Sequence, residues 1–368
     1  MLRFLHAGDL HLGSSFSAFS PAVSARRRER QLSALEDLFA RARDAGAQMI
    51  LLAGDTFDTP VPDADTAERF FAVLAAQDVP VVIAAGNHDP ARAGSVWKTH
   101  RLPPNVFLFD TPSLSHFDFP ELGAAVYGFG FAAESCPAPT LCERGELPAD
   151  RISLLLAHTD LNLPLSPYAP IGTGQLAASG FAYAALGHIH RPPAPQRNGD
   201  TLTAYSGFFA ARGFDEPGEG QALLVSLDHG RADIEVLPSA ADRFDICDLD
   251  CTGLLSGDEV RERLREYIDR GAWSADSALR VRLVGQVGIA CHPSPAALAA
   301  LGGHLALFDV VDLTVPIYDA AYLEKDPTLR GAFYRALLPQ LTGADEGQRT
   351  LAAEALRLGL TALSGREV

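Results

Sequence analysis

Aspartate, asparagine and histidine recur in this sequence just past short apolar runs. Asp9 and His11 follow Leu2 to Gly8, and Asp55 and Asp58 follow Met49-Ile50-Leu51-Leu52-Ala53-Gly54. Asn87 and His88 follow Val79 to Gly86, His158 follows Ile152 to Ala157, and His188 and His190 follow Phe181 to Gly187. Taken singly, an acid after a strand is ordinarily a turn residue, and a buried histidine is ordinarily a hydrogen-bonded core residue. Agreement at five separate strand ends needs a common cause. Carboxylate, carboxamide and imidazole donors without thiolate suit Mn²⁺, Fe or Zn²⁺, and the lack of an all-acid cage argues against calcium. So many donors exceed the needs of one tetrahedral ion. They suit two ions sharing a carboxylate about 3.5–4 Å apart, an arrangement used for in-line displacement at phosphorus.

The elements that must position these donors are legible from periodicity. Asp9 and His11 are two apart, so in extended backbone they point to one side. After Arg26 to Arg30, Leu32, Leu35, Leu38, Phe39 and Ala42 recur at helical spacing up to Gly46. A second helix is expected over Asp65 to Gln77, with Phe70, Phe71 and Leu74 inward, before the strand Val79 to Ala85. Strand, helix, strand, helix is the signature of an α/β fold with a parallel sheet. From about 105 to 150 the short, proline-punctuated strands Val106 to Phe109 and Ala125 to Gly128 predict a second, more antiparallel sheet. Further strands are expected over Thr201 to Tyr205 and Gln221 to Leu227.

Near residue 240 the pattern resets to a β-α-β-α-β set running from Phe244 to Val315. None of its elements ends in a metal-type residue. The expected organisation is therefore a catalytic domain over 1–240, an accessory domain over 241–325 and a helical tail over 326–368. The tail carries two amphipathic patterns, one with Leu329, Phe333, Leu337 and Leu338, the other with Leu351, Leu356, Leu358, Leu360 and Leu363.

The formal net charge of −16 speaks against whole-surface attraction to nucleic acid, although local basic patches remain open. Arg26-Arg27-Arg28-Glu29-Arg30 is one such patch. Arg92, Lys98, His100 and Arg101 form another. Either could face backbone phosphates, and the first could equally be a solvated helix start. Five cysteines (Cys136, Cys142, Cys247, Cys251, Cys291), with no Cys-x-x-Cys pair, argue for reduced structural thiols. No leader pattern and no run near the roughly 18 apolar residues of a membrane span occur, so a cytoplasmic chain without a membrane partner is expected.

The series Asp9-Leu10-His11, Gly54 to Asp58, Gly86-Asn87-His88-Asp89, His158 and Gly187-His188-Ile189-His190 resembles the motif set of the calcineurin-like metallophosphoesterases. Phe57, Tyr205-Ser206-Gly207 and Gly213-Phe214-Asp215-Glu216 resemble the SbcD branch of DNA-repair nucleases. Ser95-Val96-Trp97 and Leu102 to Val106 are similar to YhaO-type members. The resemblance covers roughly residues 1 to 230. It implies a two-sheet β-sandwich flanked by helices, with a smaller α/β capping domain. It also implies that Asp9, His11 and His190 hold one divalent ion, that Asn87, His158 and His188 hold the other, and that Asp55 bridges both. Mn²⁺ is the expected metal, with Fe or Zn²⁺ as alternatives. His88 would act beside the metals on the leaving oxygen, and Asp58 would orient it.

The expected activity is a DNA exonuclease or endonuclease acting in DNA repair, with DNA and an SbcC-like coiled-coil ATPase as partners and a homodimer left open. A small-molecule nucleotide phosphodiesterase is the alternative within enzymes. A non-catalytic DNA-binding scaffold for such an ATPase is the alternative outside them. The tail leucines would either pack on the accessory domain or, as the resemblance implies, dock that ATPase over Asp326 to Leu338.

Overall fold

The structure is a computed structural model, and it describes residues 1–136, 141, 147–148, 150–228, 231–288, 291–317 and 319–363. Cys142 and Ser364 lie outside them. The chain divides into two compact units, Met1–Phe244 and Asp245–Val368.

The first unit opens with β1 (Leu2–Ala7), α1 (Pro21–Asp44), β2 (Ile50–Ala53), α2 (Ala64–Ala75), β3 (Val81–Ala84), α3 (Val96–Thr99) and β4 (Val106–Phe109). β5 (Ser115–Phe119), β6 (Ala124–Gly128), β7 (Ile152–His158), α4 (Thr173–Ala177) and β8 (Tyr183–Gly187) follow. β9 (Gln196–Asn198), β10 (Thr201–Tyr205), β11 (Gln221–Asp228) and β12 (Arg231–Pro238) complete it. One sheet has the order β12-β11-β1-β2-β3-β4 and the other β5-β6-β7-β8-β10-β9.

The unbroken apolar runs follow from burial on both faces of each central strand. Along β2, Leu51 and Ala53 join Phe4, Val82, Leu154, Leu156 and Tyr183 between the two sheets. Their neighbours Ile50 and Leu52 pack with Ile83 of β3 and with Leu35, Phe39 and Phe70 of the helical layer. The outer face of the second sheet buries Leu155, Leu176, Phe181 and Leu186. This is the α/β, two-sheet architecture with flanking helices expected from the motifs.

Two expectations change. β4 joins the first sheet, parallel to β3, and the second sheet is parallel through β6-β7-β8-β10, with antiparallel strands only at its edges. Parallel neighbours need long crossovers, and the segments between β7 and β8 and between β8 and β10 are long enough to serve as such. The arginine run also divides. α1 starts at Pro21, and Arg27 is buried with its guanidinium 4.2 Å from the Phe19 ring and 4.9 Å from that of Phe244. Arg30 donates to Asp242 at 2.8 Å. Arg27 therefore braces the helix against aromatic rings and cannot face a phosphate.

β13 (Phe244–Asp250) begins at the last residue of the first unit, and the second unit goes on with α5 (Gly257–Arg270), β14 (Ala278–Val284), β15 (Gln286–Val287), α6 (Pro295–Ala299), β16 (Leu307–Asp312) and β17 (Val315–Pro316). Its three-stranded sheet has the order β13-β14-β16 and packs on Val260, Leu264 and Ile268 of α5. α7 (Ala320–Lys325), α8 (Leu329–Leu341) and α9 (Glu346–Leu363) end the described chain. Leu323, Tyr334 and Leu360 form a small core among them, whereas Leu329 and Leu351 stay exposed.

Candidate metal centre

β1, β2 and β3 run parallel in one sheet, as do β7 and β8 in the other, and the segments just past their ends carry the donors. Beyond the strand ends, the β1 and β2 loops are stitched together. Asp9 N–H donates to Gly54 O at 3.1 Å, His11 N–H to Asp55 O at 3.0 Å, and Asp58 N–H to Leu12 O at 3.1 Å. Asp9, His11, Asp55 and His188 all have positive φ, at 49°, 44°, 47° and 102°. Such conformations are unfavourable for side-chain-bearing residues and persist only where surrounding contacts impose them. Two glycines allow the close approach. A Cβ on Gly54 would stand 2.4 Å from His158 Nδ1, and one on Gly86 would stand 2.1 Å from Asp55 Oδ1.

Two groups of donors converge. In the first, Asp9, His11 and His190 each offer an atom within 4.8 Å of the others. His11 Nε2 is 3.3 Å from His190 Nε2, which is 3.6 Å from Asp9 Oδ1. In the second, His158 Nε2 lies 2.9 Å from Asn87 Oδ1, 3.2 Å from His188 Nδ1 and 3.4 Å from Asp55 Oδ2. The same Asp55 oxygen is 3.7 Å from His11 Nε2, so it stands between the groups. Asp55 Oδ1 accepts the His88 N–H at 2.8 Å.

The outer nitrogens decide what the inner ones can do. His190 Nδ1 meets Glu216 Oε1 at 2.7 Å, and His158 Nδ1 meets Ala53 O at 2.9 Å. His11 Nδ1 faces Asp58 Oδ1 at 3.4 Å, and His188 Nε2 faces Asp160 Oδ1 at 3.4 Å. With oxygens facing the outer nitrogens, the four inner ring nitrogens are the ones that can offer lone pairs beside Asp9 and Asp55 once their protons leave. Imidazole nitrogens turned towards two buried carboxylates fit divalent cations. Among the described residues three groupings of His and Asp could hold a metal: Asp9, His11 and His190; Asp9, Asp55 and His158; and His11, Asp58 and His88.

Charge follows the same logic. Burial opposes ionisation of Asp55, but His158 and His11 hold its carboxyl well below the usual range. Burial likewise disfavours charge on His158, yet Asp55 carries it up to about 9. His190 is carried to about 10 by Asp9 and Glu216, against burial. Cations entering here would displace those protons.

His88 is the more open histidine, with its side chain 42% exposed. Its Nδ1 is 3.2 Å from the Asp58 main-chain carbonyl and 4.0 Å from Asp58 Oδ1. The Asp58 carboxylate instead points towards His11 and towards Arg212, whose Nη1 donates to Oδ1 at 3.2 Å. Four residues given no role by sequence reasoning are thus part of the site: Asp89, Asp160, Arg212 and Glu216. Asp89 accepts from the Gly86, Thr56 and Phe57 N–H groups at 2.8, 3.0 and 3.1 Å, locking the β2 loop to the β3 loop. Burial and the Asp55 charge push its carboxyl up to about 8, against those donors. The signals were present, since Asp89 ends the Gly-Asn-His-Asp run and Asp160 stands two beyond His158. Phe57 packs against Phe70 and Trp97, and Trp97 Nε1 donates to Asp89 O at 2.7 Å. In the second basic patch, Arg92 is 3.5 Å from Glu134, Lys98 pairs with Asp110, and His100 stacks on Phe71.

Residues 2–192 match the family model of calcineurin-like phosphoesterases. The chain is 28% identical over 240 residues to the uncharacterized metallophosphoesterase YhaO of Bacillus subtilis (strain 168), covering 62% of this chain and 58% of that one. It is 27% identical over 266 residues to the SbcD component of the nuclease SbcCD from the same organism, covering 61% and 66%. It is 26% identical over 279 residues to the DNA double-strand break repair protein Mre11 of Haloferax volcanii, covering 73% and 59%. The chain thus spans about three fifths of the length of the curated relatives it matches. With half its length matched and two donor groups converging at its strand ends, the chain belongs to the calcineurin-like phosphoesterases, metal-dependent hydrolases with a dinuclear centre.

Proposed function

We propose that this protein is a dinuclear metal-dependent phosphodiesterase that cleaves DNA, as an exonuclease or endonuclease of the SbcD type acting in DNA repair. The observation that carries the proposal is the convergence of seven donors from five strand ends, with the outer nitrogen of each imidazole facing an oxygen. Asp9, His11 and His190 would hold one ion, Asn87, His158 and His188 the other, and Asp55 both. Mn²⁺ is the ion expected from the resemblance, with Fe or Zn²⁺ as alternatives, and the mixed nitrogen and oxygen donors admit all three. Two bound ions supply Lewis acidity at a phosphate and acidify water.

The chain's own residues do the rest. His88 stands at the open side of the donors, where an imidazole can give a proton to the departing oxygen. The Asp58 carbonyl fixes the His88 ring, and the Asp58 carboxylate holds His11. Likeness to a nuclease component and a break-repair protein supports DNA as substrate and an SbcC-like coiled-coil ATPase as partner, docked on the exposed leucines near α8, with a homodimer compatible. The proposal includes a cytoplasmic location, where DNA and a reducing milieu suited to structural thiols coincide. No helix among the described residues is long and apolar enough to cross a membrane.

One observation favours the nucleotide-phosphodiesterase alternative. A cavity of about 310 Å³ lies beside the site, lined by Asp160, Ile189, Thr203 and Tyr205 among others, within the size range of small-molecule sites. The two are separated by comparing Mn²⁺-dependent hydrolysis of single-stranded DNA with that of a small chromogenic diester. Efficient cleavage of DNA supports the nuclease. Diester turnover with no DNA cleavage, alone or with an ATPase partner, supports the alternative.

A further inference from the structure

We infer that Arg212 is a positioning residue that fixes both imidazole donors of one metal ion through two carboxylates, while the other ion's imidazoles are fixed independently. The inference rests on the dinuclear reading above. Arg212 lies between β10 and β11, in a segment joined to the donor loops by Phe208 N–H to His190 O at 3.2 Å and Phe209 N–H to Asp9 O at 3.3 Å. Its guanidinium spans two acids. Nη2 and Nε donate to Glu216 Oε1 at 2.7 and 3.1 Å, and Nη1 donates to Asp58 Oδ1 at 3.2 Å. Each acid faces the outer nitrogen of a different imidazole, Glu216 that of His190 and Asp58 that of His11. Both imidazoles belong to the group formed with Asp9.

A local ion pair across one turn is the simpler explanation for Arg212 and Glu216, which are four residues apart. It does not account for the geometry. The Glu216 side chain is 2% exposed and shares one oxygen between Arg212 and His190, and Asp58 lies far away in sequence. A planar fork that holds two acids at fixed separation does what a point charge cannot. Among the described residues the second group has no equivalent. His158 leans on the Ala53 main-chain carbonyl and His188 on Asp160, with no shared side chain between them.

The test is Mn²⁺ titrated into metal-free protein, with free Mn²⁺ followed by electron paramagnetic resonance. Wild type should bind two ions. Arg212→Ala should bind one with wild-type affinity and the other about 10- to 100-fold more weakly, the usual cost of losing a group that orients a ligand. Arg212→Lys should recover only part of that loss. In a His188→Ala background, where the Asp9 group holds the remaining tight ion, Arg212→Ala should weaken that ion by the same factor. The melting temperature of each metal-free variant controls for folding. Wild-type affinity for both ions in Arg212→Ala would overturn the inference, as would equal weakening of both ions. Fewer than two ions in wild type would overturn the dinuclear reading itself, which separates the two failures.

Discussion

At the scale of single residues, His88 and Gly86 have opposite duties in adjoining positions. His88 is open and borders both donor groups, so His88→Ala should lower kcat by about 10²–10⁴ while two ions remain bound, as judged by metal analysis. Loss of metal from that variant would show that it ligates instead. Gly86 acts by having no side chain. Its Cβ would stand 2.1 Å from Asp55 Oδ1 and 2.3 Å from Asp55 N, so Gly86→Ala should displace the shared carboxylate. Weakened binding of both ions and a stability loss of about 1–3 kcal/mol are expected, read by metal titration and denaturant unfolding. The donors were legible in the sequence because their types are rare just past an apolar run and recur there. The division of labour within Asp58 was not. Which of its oxygens meets His88, and that Arg212 takes the carboxylate, depends on a segment 154 positions away.

Among the elements, β1 and β8 are tied across the sandwich by His6, and this tie has a pH signature. His6 is buried between Tyr183 OH at 3.0 Å and Leu186 O at 3.1 Å, and burial lowers its pKa from 6.5 to about 4. The folded chain therefore keeps His6 neutral where the unfolded chain is protonated. Stability is full above pH 6.5 and falls as pH drops towards 4, by roughly 3 kcal/mol from this group. His6→Gln should flatten that fall in urea unfolding of the chelated, metal-free protein, and an unchanged slope would contradict the assignment. The central strands and helices α1, α2 and α5 were legible because hydrophobic period and breakers agree there. Sheet membership was not, since β4 and β6 are short apolar strands alike and only their partners distinguish them. β12 escaped notice because it is an edge strand, polar and mostly exposed, and its pairing with β11 defines it.

For the whole molecule, a charge of −16, with Arg92 and Lys98 facing acids and Arg27 set over aromatic rings, would leave the proposed DNA substrate to the metal centre and local surfaces. The tail bears on partnership. Leu329 is 68% exposed, so Leu329→Glu should change stability by no more than about 0.5 kcal/mol and leave diester turnover intact, yet weaken association with a coiled-coil ATPase measured by titration. Unaltered association would remove α8 from the proposed docking surface. The central claim is that the five strand ends assemble one centre for two ions. Anomalous diffraction from crystals grown with Mn²⁺ tests it most directly. Two peaks flanking Asp55 are expected, one within reach of Asp9, His11 and His190, the other of Asn87, His158 and His188. A single peak, or two peaks that do not share Asp55, would contradict it.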